Sequence, residues 1–271
     1  MKETDLKEFH HRLCILMNEI HKICVENGIR YTLLGGSLIG AVRHHGFIPW
    51  DDDMDIGMPW RDYKRFCEIV SNIKHEWVEF DNPFDTSCSH LFPKAYDKRT
   101  TLRENATKKH EVRGIYIDIF PMSYVGNRKK KAMIEFRWHQ LLNALYLRKQ
   151  YFYPKNSIQE ILYSIVGLFF STNVIRKLIN HQLIRLGDIK TYYISDLDGT
   201  TRGIVPSTYF ERFKLFDFDG FQFYGVEEAD EYLKCVWGDY MQLPPVEKRK
   251  PGHFEYLNLN LPYKDYIKGI E

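Results

Sequence analysis

Apolar residues recur at Leu6, Phe9, Leu13, Leu16, Ile20, Ile23 and Cys24, the three-and-four spacing of a single helix face, and Asn27-Gly28 closes the pattern as a C-terminal cap does. The spacing predicts an amphipathic helix over residues 5–27. IRYTLLGG follows, a short β-prone run ending in two glycines, and then SLIGAVRHHG, a short helix for which Ser37 is the expected cap and Gly46 the stop. MDIGMP reads as a strand. WRDYKRFCEIVSNI sets Phe66, Ile69, Val70 and Ile73 on one helical face.

Residues 90–104 and 112–121 read as further strands, the second stopping at Pro121, where the backbone donor is lost. From about 128 to 186 the pattern is helical. Aromatic, strand-like runs return over 191–226, with turns expected at Asp198-Gly199 and Asp219-Gly220. YGVEEADEYLKCVWGDY reads as a helix and LPPVEKRKPGH as a polar segment. No internal repeat or low-complexity linker interrupts the 271 residues, so one structural unit of mixed α/β (α+β) class is expected. Its parts are a core over 1–125, a helical region over 126–190 and a C-terminal part over 191–271 that returns to complete the site.

Composition narrows the function classes. Thirty-eight basic residues face 36 acidic ones, a net charge of +2, so no whole-molecule field points to nucleic acid. The cluster Arg128 to Lys131 reads as a solvated helix start, with phosphate or an anionic membrane surface as the alternative contact. Five cysteines, Cys14, Cys24, Cys67, Cys88 and Cys235, form an odd set without a CxxC pair, which suggests neither a zinc site nor a disulfide framework. MKETDLKEFHHRL lacks the apolar stretch of a signal peptide, and the run Ile161 to Phe170 is too short to span a bilayer. A cytoplasmic protein is expected, with that run as its candidate contact with the inner membrane face.

The chemistry concentrates between Gly35 and Pro59. In an extended chain Asp51, Asp53 and Asp55 project to one side while Met54, Ile56 and Met58 point to the other. Carboxylates that close raise one another's proton affinity and call for a counter-cation; hard oxygen ligands suit magnesium, manganese or calcium. Upstream, Gly35-Gly36-Ser37 lies at a strand-to-helix turn with no side chains to hinder close approach, where helix N-terminal amides can meet phosphate oxygens. A glycine pair alone is usually a turn, and an Asp-x-Asp alone is usually a loop or cap. Together, within 25 residues, they point to phosphoryl or nucleotidyl transfer. A calcium loop with Asp62 in its twelfth position is the sharper rival, but Ile56 stands where that loop needs glycine. His44 and His45 are adjacent in a helix and diverge, which excludes a metal pair.

The string from Gly35-Gly36-Ser37-Leu38 through His45-Gly46-Phe47-Ile48-Pro49-Trp50-Asp51-Asp52-Asp53-Met54-Asp55 resembles the LicD family, within the nucleotidyltransferase fold. FPKAYDKRT (92–100), GIYIDIFP (114–121) and VWGDYMQLPPVEKRKPGH (236–253) look like later signatures of that family in the expected order. The resemblance implies a nucleotidyltransferase-like mixed sheet with a helical insertion and a C-terminal extension. It further implies that Asp53 and Asp55 bind magnesium, or manganese, with Asp51 on the same face. Asp118 in IYIDIFP matches the third carboxylate, as metal ligand or general base. The implied reaction moves phosphocholine from CDP-choline, or another CDP-alcohol, to a sugar hydroxyl of a lipid-linked cell-surface glycan precursor and releases CMP.

Gly35, Gly36, Ser37, Arg43, Lys94, Arg99, Lys248, Arg249 and His253 are the candidates to hold the diphosphate. Trp50, Trp60, Tyr116, Trp237 and Tyr240 are aromatic candidates beside the motifs for a quaternary ammonium.

YYISDLDGTT (192–201) matches the DxDGT nucleophile motif of haloacid-dehalogenase-type phosphatases, but too few residues follow for a doubly wound domain, and Asp-Gly is the common hairpin turn. A turn is expected there, and replacing Asp196 is expected to leave transfer unchanged. Two rivals keep the same fold: transfer of ribitol or glycerol phosphate from its CDP ester, and a non-catalytic nucleotide-binding partner in glycan assembly.

Overall fold

The computed structural model describes residues 3–81, 91–105, 112–150, 158–187, 189–252 and 254–269. The first helix, α1 (Glu3–Glu26), buries all seven of the apolar positions that predicted it and lies against the main sheet. It ends where Gly28 takes φ +60°, the left-handed conformation that glycine adopts without a side-chain penalty.

The sheet is assembled from β1 (Thr32–Leu33), β2 (Asp55–Pro59), β3 (Val78–Phe80), β4 (Lys94–Asp97) and β7 (Tyr116–Gly126), in the order β1-β2-β7-β4-β3. β2 and β7 run parallel; the other pairs are antiparallel. Strands β5 (Thr101–Glu104), β6 (Val112–Arg113) and β12 (Phe254–Asn258) form a second sheet in the order β12-β5-β6, so a strand from near residue 250 completes a sheet begun near residue 100.

The strand expected to stop at Pro121 continues to Gly126. The Ile119 N–H faces β4 and reaches Pro93 O at 3.1 Å, so the nitrogen of Pro121 faces the same edge. There β4 has ended, and β8 (Tyr193–Ser195) joins β7 only at Ser123, leaving a gap in which no donor is needed. β8 in turn pairs with β9 (Val205–Pro206).

Helices α2 (Gly35–His44) and α3 (Trp60–Val70) flank β2. Phe66 and Val70 are buried as expected, and Asp62 is held in a fork by Arg30 at 2.8 and 3.0 Å, which removes it from any calcium loop. Trp60, a candidate ligand aromatic, proves to be core: it is fully buried, stacked on Tyr63, and faces Gly187 so closely that a Cβ there would stand 2.0 Å from the indole.

Helices α4 (Lys129–Gln150), α5 (Ile158–Leu168) and α6 (Thr172–Gly187) occupy the stretch expected to be helical, and α4 and α6 pack on β7. β10 (Phe213–Phe218) and β11 (Phe221–Val226) form the hairpin expected at Asp219-Gly220, both turn residues having positive φ. Asp198-Gly199 forms no such hairpin, because β8 pairs with a strand ten residues farther on. Helices α7 (Ala229–Trp237) and α8 (Tyr263–Lys268) complete the chain.

Candidate active site

The glycine turn is tied to the start of β2. Leu34 N donates to Asp55 O at 3.0 Å, and the Asp55 N–H donates to Ser37 Oγ at 2.9 Å. Ser37 therefore braces the acidic strand and does not cap α2, whose preceding residue is Leu34 with no side-chain bond. Gly35 has φ +48°, and a Cβ on Gly36 would stand 2.5 Å from Asp51 Oδ2. Two glycines thus let the Asp51 carboxylate approach the N-terminal end of a ten-residue helix, where negative charge is favoured.

The strand expected over MDIGMP begins at Asp55, and the chain from Asp51 to it is irregular, yet the expected alternation holds. Asp51, Asp53 and Asp55 are partly open, while Asp52, Met54 and Ile56 are buried. Asp52 accepts the Gly252 N–H at 2.9 Å, and His10 Nε2 bonds to Asp51 O at 2.7 Å, so residues from both ends of the chain brace this segment.

Sheet register then sets the row. Asp55 on β2 lies directly beside Asp118 on β7, and Asp118 beside Lys94 on β4. Lys94 is buried; its Nζ is 2.6 Å from Glu104 Oε1, 3.4 Å from Asp118 Oδ1 and 3.5 Å from the centre of the Tyr116 ring. Glu104 escaped the sequence reading. The available signal was its place ten residues after Lys94, across the sharp turn in which Thr100 Oγ1 bonds back to Asp97 O.

Burial raises the pKa of Asp55 well above the carboxylate range, and Asp53, Asp118 and Asp51 add to the rise against Lys94. Asp118 is pushed up to about 7 by burial, with Lys94 opposing and Glu104 and Asp53 reinforcing. Its Oδ1 is a buried oxygen without a hydrogen bond among the described residues. An added cation would relieve both groups. The donors are all hard oxygens and so fit a small divalent ion in kind. As the side chains stand, no group of three or more among the described residues is set to hold a metal.

The candidate diphosphate residues divide. Arg43, on the last turn of α2, donates to the Tyr240 carbonyl and feels the charge of Asp51. Arg249 lies 5.2 Å from the ring of Trp50, next to Asp51, and bonds to Pro244 O. Lys248 is exposed on the same segment. Arg99 sits at the opposite end of β4 from Lys94, locked onto Asp97 at 2.7 and 2.9 Å and stacked over Trp77, and the fold does not bring it to the aspartates. His253 lies outside the described residues.

Residues 28–161, which include the glycine turn, the acidic segment and Asp118, match the family described as LicD/FKTN/FKRP, nucleotidyltransferase domain. The lipopolysaccharide cholinephosphotransferase LicD of Haemophilus influenzae is 30% identical over 264 residues, covering 94% of this chain and 98% of that protein. The ribitol 5-phosphate transferase FKRP of Homo sapiens is 61% identical over 31 residues, 11% of this chain and 6% of its own length. With a nearly end-to-end match and the aspartate row in register, the chain belongs to the LicD family.

Proposed function

We propose that the protein is a metal-dependent transferase that moves phosphocholine from CDP-choline to a sugar hydroxyl of a glycan precursor of lipopolysaccharide or teichoic acid type. The nearly end-to-end likeness to a lipopolysaccharide cholinephosphotransferase carries this reading. The acceptor oxygen bonds to phosphorus as the phosphorus–oxygen bond to CMP breaks, and CMP leaves.

Asp53 and Asp55, with Asp51 beside them, would hold magnesium, or manganese in its place; when bound, such an ion neutralises phosphate charge on the donor and leaving group. Asp118 Oδ1, buried and 3.4 Å from Lys94 Nζ, takes the acceptor proton in this reading, and Lys94 with Glu104 fixes its position and charge. The Gly35-Gly36 turn brings the Asp51 and Asp55 carboxylates close to the start of α2, so donor phosphate would meet this turn through an ion that those carboxylates hold. Arg43, which feels the charge of Asp51, Arg249 beside Trp50, and Lys248 on the same segment as Arg249 are the cations that would meet donor phosphate.

A lipid-linked acceptor suits the surface of α5 and α6. Ile158, Leu162, Ile165, Leu168, Phe169 and Val174 are exposed there, and ten Lys and Arg against two Glu occupy residues 129–187. Among the described residues no single helix is long and apolar enough to cross a membrane, and α5 and α6 meet at a bend of 101°. In this reading the bent pair rests on the inner, anionic face of the bilayer.

The test is CMP release from CDP-choline with magnesium, with and without chelator, beside CDP-ribitol and CDP-glycerol. Chelator-sensitive release that favours CDP-choline is expected, and Asp55→Asn should lower it at least roughly a hundredfold with the fold intact. Preference for CDP-ribitol would favour the second reading, ribitol phosphate transfer, which the 31-residue likeness to FKRP supports. Release that survives chelation would reject the metal.

A further inference from the structure

The segment that follows β8 carries an acidic pair that the transfer chemistry leaves unused. Leu197, between Asp196 and Asp198, has φ +66°, a conformation costly for a branched apolar residue. The turn is held by Gln140 Nε2, which donates to Leu197 O at 2.7 Å and Asp198 O at 2.6 Å, and by Asn143 Nδ2, which donates to Asp198 Oδ1 at 2.8 Å. Such a strained turn, fixed by two side chains of α4, sets Asp196 in the wall of a cavity of about 360 Å³. Gly35, Thr200, Arg202, Tyr232 and Trp237 also line this space.

Asp196 has no cationic partner among the described residues. Its carboxylate is held by N–H groups of its own turn, with Asp198 N at 3.2 Å, and by the Ser195 hydroxyl at 3.5 Å. Arg202 is exposed at the rim. Gly35, which also lines the cavity, stands between it and the aspartate row: a Cβ there would lie 3.5 Å from Asp55 Oδ2.

We propose that this cavity receives the quaternary ammonium head of the transferred group, with Asp196 as counter-charge and Tyr232 and Trp237 as aromatic walls; this rests on the phosphocholine reading above. A quaternary ammonium has no N–H to donate, so it is recognised by charge and by ring faces and not by lone pairs. Asp196 offers that combination: its lone pairs are engaged by its own turn while its charge is left unbalanced. A polyol such as ribitol would need the reverse. Two carbons separate the ammonium from its phosphate oxygen, which places the phosphate toward Gly35. The expectation that Asp196 is irrelevant to transfer is thereby reversed.

The test titrates the purified protein, with magnesium present, against phosphocholine and against 3,3-dimethylbutyl phosphate, the isostere whose head is uncharged because carbon replaces nitrogen. Phosphocholine should bind roughly tenfold tighter or better, Asp196→Asn should erase that margin, and Trp237→Ala, at a half-exposed position, should weaken phosphocholine several-fold at unchanged melting temperature. Equal binding of the isostere, or a full margin in folded D196N, overturns the proposal; should D196N not fold, unchanged phosphocholine affinity in W237A overturns it alone. Binding is read without turnover, so the two readings fail separately. Loss of the margin in D196N with no CMP release by the native protein rejects transfer and keeps the cavity. CMP release with an unchanged KM for CDP-choline in D196N rejects the cavity and keeps transfer.

Discussion

At Asp118 a single carboxyl links stability to pH. Its pKa is raised to about 7 in the fold, against about 3.9 in an unfolded chain. A group raised in this way contributes stability that is fully present below the unfolded value and is lost as pH rises through the folded one. The metal-free protein should therefore melt higher at pH 5.5 than at pH 7.5 as far as this row decides it, by on the order of 2–4 °C per kcal/mol. Magnesium competes with protons for the same oxygens, so it should raise Tm more at pH 7.5 than at pH 5.5. Thermal melts with magnesium or chelator at the two pH values check both signs; equal magnesium shifts would separate the row from the metal.

The residues of that row differ in how far the sequence reveals them. Asp53, Asp55 and Asp118 stand out because charge interrupts apolar strands, a pattern visible one residue at a time. Glu104 does not, because its role comes from the register of β4 against β7 and from the fold of β5 back over Lys94. The Asp198-Gly199 hairpin was expected for a related reason: an Asp-Gly pair suggests a hairpin, whereas the bonds from Gln140 and Asn143 that fix this turn come from more than 50 residues away. Arg99 was assigned to phosphate from its charge, and Asp97, two residues before it, claims that charge locally.

Among the elements, α2 and α6 each place a glycine against a side chain, with opposite expected consequences. In Gly36→Ala the new methyl meets the Asp51 carboxylate at 2.5 Å, the end of a side chain that can swing away. Stability should change by less than about 1 kcal/mol, while CMP release falls roughly tenfold as the carboxylate is displaced. In Gly187→Ala the methyl meets the Trp60 indole at 2.0 Å in a closed core, and overpacking should cost about 3 kcal/mol or more. Paired melting and turnover measurements on the two variants distinguish a site glycine from a packing glycine. The amphipathic α1, the β10-β11 hairpin and the helical stretch were legible because local periodicity and turn chemistry define them. The full length of β7 was not, because whether Pro121 ends a strand depends on what lies along its edge.

For the molecule as a whole, the exposed apolar corner between α5 and α6 should govern where the protein sits. Leu168 and Phe169 are each about 80% exposed, so Leu168→Asp with Phe169→Asp removes surface hydrophobicity without opening the core. The double variant should lose co-sedimentation with anionic vesicles several-fold while Tm stays within about 2 °C, and the native protein should bind neutral vesicles more weakly than anionic ones. Equal vesicle binding by the double variant would send the search for a membrane contact elsewhere.

The bond from Gly252 to Asp52 and the pairing of β12 with β5 carry a consequence for how the protein is made. A ribosome delivers the acidic segment first and Gly252, which braces it, some 200 residues later, at roughly 5–20 residues per second. For that interval of on the order of ten seconds or more, the nascent chain carries the aspartates without their last support. Loops this wide make folding slow, so the site is braced only after residues 252–258 have emerged, and translation products that stop short of them hold the acidic motif without that support.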